Sequence, residues 1–269
     1  MTHFVNLTFD VDLHLLWTGT HKRTQIGEMS RGEFGLLKGL PRILALLEEE
    51  EVQATFFIPG KIAEIFPESV ALIHAKGHEI GVHGYAHERW NELDEATEYE
   101  LVSKSKKLLE NITNEEIIGF RSPAWSLNTH SVGVLQQLKF AYDSSLMADD
   151  YQSYTLREGD YMTLDGEFVR GVDSALIEFP VAWELDDFPY FCFNGKQVGL
   201  RLPGEVLTYW KEEFDASRTY GNQFILTMHP QIIGRAPRIE MLRQLIRYMK
   251  SYNDSTFSTL KQTIQTGVI

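Results

Sequence analysis

The chain has 269 residues, 43% of them hydrophobic and 23% charged, and its 25 Lys and Arg residues against 38 Asp and Glu leave a net charge of −13. That balance argues against nucleic acid or an anionic membrane as partner, since both demand a basic surface. Cys192 is the single cysteine, so neither an intrachain disulfide nor a thiolate metal cluster can form.

The length suits one α/β barrel, which typically needs about 250 residues. No repeat, low-complexity tract or Pro/Gly/Ser linker divides the chain, so a single domain over 1–269 is expected. The first ten residues carry no basic n-region, apolar h-region or cleavage site, and no run of roughly 18 apolar residues follows. The expected location is therefore cytoplasmic.

Short β-branched or aromatic runs at 4–9, 54–58, 79–83, 117–121, 176–181 and 224–229 predict strands. Helical patterns alternate with them at 35–50, 67–75, 94–111, 129–138, 203–217 and 237–252. In the first of these Leu36, Leu37, Leu40, Ile43, Leu44 and Leu47 recur near the 3.6-residue period, and Asp94 is placed to cap the third. Near-continuous apolar strands alternating with helices predict a parallel sheet covered on both faces. Residues 148–173 show no clear period and are read as an excursion that forms part of a substrate wall.

Polar residues cluster at the predicted strand ends. The first strand ends in Asp10-Val11-Asp12, the third runs into His83-Gly84-Tyr85-Ala86-His87, the fourth ends at Arg121 and the last at His229. If the chain turned helically after the third strand, the i, i+4 histidines would face one metal ion. Asp12, His83 and His87 would then hold a divalent ion that lowers the pKa of a bound water from about 15.7 towards about 7. Asp10 would take the proton of that water, Arg121 would aim Asp10, and His229 would protonate a leaving nitrogen. The roles of Asp10 and Asp12 could be exchanged. The chemistry expected is hydrolysis of an amide-type C–N bond. Two histidines and a carboxylate suit zinc first, with cobalt, manganese or iron as alternatives.

Thr-Phe-Asp-Val-Asp, Ala-Thr-Phe-Phe-Ile-Pro-Gly, Gly-His-Glu-Ile-Gly-Val-His-Gly-Tyr-Ala-His, Gly-Phe-Arg-Ser-Pro-Ala-Trp-Ser and Leu-Thr-Met-His-Pro, in that order, resemble the motifs of the polysaccharide deacetylase family, also called carbohydrate esterase family 4 or the NodB-homology group. The match spans most of 4–235. Trp183-Glu-Leu-Asp-Asp-Phe-Pro189 and Ser30-Arg-Gly are similar to segments of a signal-less branch containing peptidoglycan deacetylase-like proteins and cyclic-imide or allantoin hydrolases.

This resemblance implies a distorted (β/α) barrel of about seven parallel strands. It implies Asp10 as base, Asp12, His83 and His87 as metal ligands, Arg121 as the residue that orients the base, and His229 as general acid. Two departures stand out: Asp-Val-Asp replaces the adjacent Asp-Asp of many members, and Ala124 follows Pro123 where the family often has an aromatic residue beside the oxyanion N–H.

Trp90, Trp125 and Trp183 are candidates for a ring-binding wall. His78 is read as a packing residue, Glu79 as a hydrogen-bond partner of a ligand histidine, and Cys192 as an inert buried thiol. The expected substrate is an acetylated amino sugar or peptidoglycan-like molecule; the alternatives are a small cyclic imide or ureide, or carbohydrate binding without turnover. The branch resembled implies a homo-oligomer, with Phe188–Phe193 as a candidate contact surface.

Overall fold

The computed structural model describes residues 2–193 and 200–267. Its strands are β1 (His3–Asp10), β2 (Thr55–Ile58), β3 (Glu79–Val82), β4 (Gly119–Phe120), β5 (Tyr142–Asp143), β6 (Tyr154–Glu158), β7 (Tyr161–Met162), β8 (Phe168–Val169), β9 (Val172–Glu178), β10 (Gln223–Met228) and β11 (Ser255–Phe257). The α-helices are α1 (Ile26–Phe34), α2 (Leu40–Glu49), α3 (Gly60–Ile65), α4 (Pro67–Ala75), α5 (Glu95–Thr113), α6 (Ser131–Gln137), α7 (Asp187–Phe191), α8 (Pro203–Tyr220), α9 (Pro230–Ile233), α10 (Ala236–Lys250) and α11 (Leu260–Gln265).

Seven strands run parallel in the order β10-β1-β2-β3-β4-β5-β9, as the alternation of strand and helix predicts. Antiparallel β6 extends the edge beyond β9, and β11 pairs with the start of β1. The sheet curls until the segment after β9 meets β10, where Asp186 bridges to Thr227. The result is a distorted, incompletely closed (β/α) barrel. Every residue of β1 is buried, because the helices cover one face of the sheet and side chains fill the other. Leu40, Ile43, Leu44 and Leu47 of α2 form one apolar stripe against the sheet.

Several segments differ from the sequence expectation. The helix predicted at 35–50 is continuous with α1 through a π-turn at Gly35–Gly39. Two-residue β5 and the edge pieces β6 and β11 carry too little apolar signal to be foreseen, because neighbours and register define them. Residues 148–173 fold into β6 and the β7–β8 hairpin on the flank of β9. In the Phe188–Phe193 segment Phe191 and Cys192 are buried, Phe188, Pro189 and Tyr190 are half-buried, and Phe193 is exposed. No helix among the described residues is long and apolar enough to cross a membrane.

Candidate active site

The parallel arrangement gathers the C-terminal ends of β1, β3, β4 and β10, which is where barrels place their reactive side chains. Asp10 ends β1, His83 follows β3, Arg121 follows β4 and His229 follows β10. Asp12 and His87 arrive from the loops that continue β1 and β3. All six are buried.

His83 Nε2 lies 3.3 Å from Asp12 Oδ1, and His87 Nε2 lies 3.4 Å from Asp12 Oδ2. The two histidines do not share a helix. Gly84 at φ +63° and His87 at φ +57° bend the loop through left-handed conformations, so the imidazoles converge by a turn. The i, i+4 spacing thus succeeds for a reason other than helical periodicity.

Each ring is aimed through its other nitrogen. His83 Nδ1 donates to the Arg121 carbonyl at 2.8 Å, and His87 Nδ1 pairs with Thr20 Oγ1. Thr20 comes from a π-turn (Leu16–Thr20) that lies flat on the His87 loop. A side chain at Gly19 would collide with the carbonyls of Ala86 and His87, so glycine is what permits that approach.

Both carboxylate oxygens of Asp12 are buried without a hydrogen-bond donor, and one donor atom from each of Asp12, His83 and His87 lies within 4.8 Å of the others. Burial opposes ionisation of Asp12, but His87 and His83 outweigh it and hold the carboxyl well below the usual range. An ionised, unsatisfied carboxylate beside two aimed imidazoles fits a divalent ion.

Asp10 faces the same point. Its Oδ1 accepts from Arg121 Nη1 at 2.9 Å, while its Oδ2 is 3.8 Å from His83 Nε2. Arg121 is locked: Nη1 also donates to Thr8 Oγ1, Nε to the Ser144 carbonyl and Nη2 to Ser144 Oγ, and its guanidinium lies 4.3 Å over the Phe57 ring. Arg121 thereby touches the base and, through its carbonyl, a ligand histidine.

On the other side His229 Nδ1 pairs with Asp187 Oδ1 at 2.7 Å, and the His229 backbone N–H donates to Asp187 Oδ2 at 3.0 Å. His229 Nε2 is left facing Asp12 Oδ2 at 3.6 Å. Burial disfavours the charged ring, but Asp187 and Asp186 overcome it and raise the His229 pKa well above its ordinary value. Asp187 was not foreseen in this role. It lies in Trp183-Glu-Leu-Asp-Asp-Phe-Pro189, and the signal that could have found it is an Asp-Asp pair following an apolar strand.

A cavity of about 170 Å³ opens above these groups. Leu16, Thr20 and His21 form one side of it, and Ala124, Trp125, Trp183 and Phe188 the other. Trp125 and Trp183 pack with ring centroids 4.3 Å apart, and Ala124 takes a left-handed conformation at φ +54°. A hollow of about 350 Å³ around His74 and Lys261, at the opposite ends of the strands, shares none of these residues.

Three expectations are corrected. Trp90 is not a wall residue: it is buried against Phe120 and donates to Ser131 Oγ, beneath Gly84. None of residues 148–173 lines the cavity. Glu79 points away from His83, accepting from Thr55 Oγ1, Tyr142 Oη and the Lys261 N–H. His78 packs on Phe56 as expected, and burial pushes the Cys192 thiol up.

Residues 33–142 match the family model described as polysaccharide deacetylase. A crystal structure from Mycobacterium smegmatis, described as a polysaccharide deacetylase, is 35% identical and superposes with a TM-score of 0.86 over 99% of this chain and 90% of that one. The chain belongs to the polysaccharide deacetylase family. The peptidoglycan deacetylase of Helicobacter pylori is 29% identical over 270 residues, covering 94% of this chain and 92% of that protein. An allantoinase shares the fold at 21% identity and a TM-score of 0.80, over 97% of this chain and 89% of that one. Membership makes the protein an amide-hydrolysing, metal-dependent enzyme of the deacetylase type.

Proposed function

We propose that the protein removes the acetyl group from an acetylated amino sugar or a peptidoglycan-like fragment by attack of water on the amide carbonyl. The observation that carries this reading is the pair of buried dyads, Asp10–Arg121 and His229–Asp187, facing each other across Asp12, His83 and His87. A divalent ion held by Asp12, His83 and His87, with zinc the best fit to that donor set, supplies Lewis-acid polarisation when bound.

The protein's own groups do the rest. Asp10, held by Arg121, accepts the proton of the attacking water. His229 donates from Nε2 to the departing nitrogen, because Asp187 occupies Nδ1 and fixes the ring. The Ala124 peptide lines the cavity, and in this reading its N–H donates to the developing oxyanion. Trp125 and Trp183 supply a flat apolar surface for a ring.

One observation favours a second reading. The cavity of about 170 Å³ is walled on two sides, which suits a compact ring such as a cyclic imide or ureide better than a long polymer. The same acid and base serve that hydrolysis. A cytoplasmic, homo-oligomeric enzyme would agree with either substrate.

The test is elemental analysis for metal, together with turnover of an N-acetylglucosamine oligomer and of succinimide by wild type and Asp10→Asn. Acetate release from the oligomer, lost in the variant, supports the deacetylase reading. Turnover of succinimide alone replaces it with the second. Turnover of neither by metal-loaded protein overturns both.

A further inference from the structure

Asp186 lines the cavity and lies outside the Asp12, His83 and His87 ligand set; its donor atom falls within 4.8 Å of those of Asp187 and His229. Its neighbour Asp187 uses both oxygens on His229, whereas Asp186 Oδ1 accepts from the Phe188 N–H at 2.7 Å and caps α7. Among the described residues Oδ2 has no hydrogen-bond partner. Asp186 Oδ1 is also 3.6 Å from His229 Nδ1, so the carboxyl lies beside the general acid.

The position is costly. Asp186 is buried next to Asp187, with Asp10 nearby, so burial and these like charges oppose its ionisation against the pull of His229, a cost that a substrate N–H or O–H donated to its free oxygen would offset. The cap requirement does not explain the choice of residue, since Ser or Thr caps a helix as well as Asp. A second oxygen is what Asp adds. Among the described lining residues Thr20 is committed to His87, and most of the acids and imidazoles to the reaction. His21, Asp186 and the indole N–H groups of Trp125 and Trp183 are left to read a substrate, and Asp186 is the one acid among them, beside the ring of His229.

We propose that Asp186 is a substrate-binding residue, whose second carboxyl oxygen hydrogen-bonds a polar N–H or O–H group adjoining the scissile carbonyl. That group would be the ring N–H of an imide or ureide, or a ring hydroxyl of an amino sugar. The proposal rests on the hydrolase reading above and names the atom that orients its substrate.

The test compares wild type with Asp186→Ser, which keeps a cap oxygen and removes the second oxygen, and with Asp186→Asn, which keeps the cap oxygen and puts an amide NH2 donor where the second oxygen stood. Steady-state kinetics are measured on succinimide, on N-methylsuccinimide and on an N-acetylglucosamine oligomer, with the thermal midpoint as a folding control. For the substrate that wild type turns over, Asp186→Ser is expected to raise KM about tenfold with kcat within about threefold, the loss of one hydrogen bond, and Asp186→Asn to raise KM at least as much, because its amide NH2 cannot accept from the substrate. A preference for succinimide over its N-methyl analogue that shrinks in Asp186→Ser identifies the ring N–H as the group bound; a KM effect confined to the oligomer identifies a hydroxyl. An unchanged KM in a folded Asp186→Ser variant overturns the assignment and leaves the hydrolase reading standing. If wild type turns over none of the three, the hydrolase reading fails and takes the assignment with it.

Discussion

Arg121 Nη1 lies 2.9 Å from Asp10 Oδ1, and both side chains are buried. Three further hydrogen bonds to Thr8 and Ser144 fix the guanidinium before it meets the base. Breaking a buried ion pair from one side costs about 3–5 kcal/mol, because the remaining charge keeps its desolvation penalty. Arg121→Met should therefore lose about that much stability in urea titration and at least a hundredfold in kcat. Arg121→Lys should recover only part, since an ammonium cannot reproduce the fork. Asp10→Asn combined with Arg121→Met should cost less stability than the two single changes added together. Additive losses would show that the pair is not coupled.

The His229–Asp187 dyad predicts a different signature. Asp187→Asn keeps the side chain's shape but weakens the acceptor that fixes the His229 tautomer. kcat should fall about 10²–10⁴-fold, the usual worth of a positioned acid, with KM little changed. The deficit should narrow on an activated anilide substrate, whose nitrogen leaves without full protonation. An equal deficit on both substrates would remove His229 from the acid role.

Thr20 touches no substrate atom in the proposed scheme, yet it holds His87 Nδ1. Replacing such an outer partner typically weakens metal affinity about 10–100-fold. Thr20→Val should show that loss in competition with a chelator, while the thermal midpoint of metal-stripped protein stays near that of stripped wild type. Stripping wild type should itself lower the midpoint, and adding metal back should restore it, because the ion binds the folded chain. A chelator titration of Thr20→Val that overlays wild type would count against the arrangement.

The site was readable where chemistry coincides with periodicity. Asp10, Arg121 and His229 each end or follow a run of apolar residues, and parallel strands converge at their C-terminal ends. Asp187 and Thr20 were not readable, because they reach the site from segments whose positions are set by tertiary contacts. Thr20 depends on Gly19 lying against the His87 loop, and Asp187 on the Asp186–Thr227 bridge that nearly closes the sheet. Trp90 was misread for the opposite reason: an aromatic residue near a motif has the same sequence signature whether it faces the cavity or supports the loop from below.

Two histidines remote from the site set an acid limit on stability. His3 Nε2 pairs with Ser217 Oγ at 2.9 Å, and His78 Nδ1 accepts the Ala54 N–H at 3.3 Å. Burial lowers each to about 4 from 6.5, helped by Arg218 at His3, where Asp254 opposes, and by Lys76 at His78. Both histidines are neutral in the folded protein at a pH where the unfolded chain would bind protons. Unfolding between pH 6.5 and 4 thus takes up about one proton per histidine, and their contribution to stability is complete above pH 6.5 and lost as the pH falls towards 4. Urea midpoints measured from pH 7.5 to 4.5 should fall less steeply for the His3→Gln, His78→Gln double variant than for wild type. Parallel slopes would mean that these two rings do not carry the proton uptake.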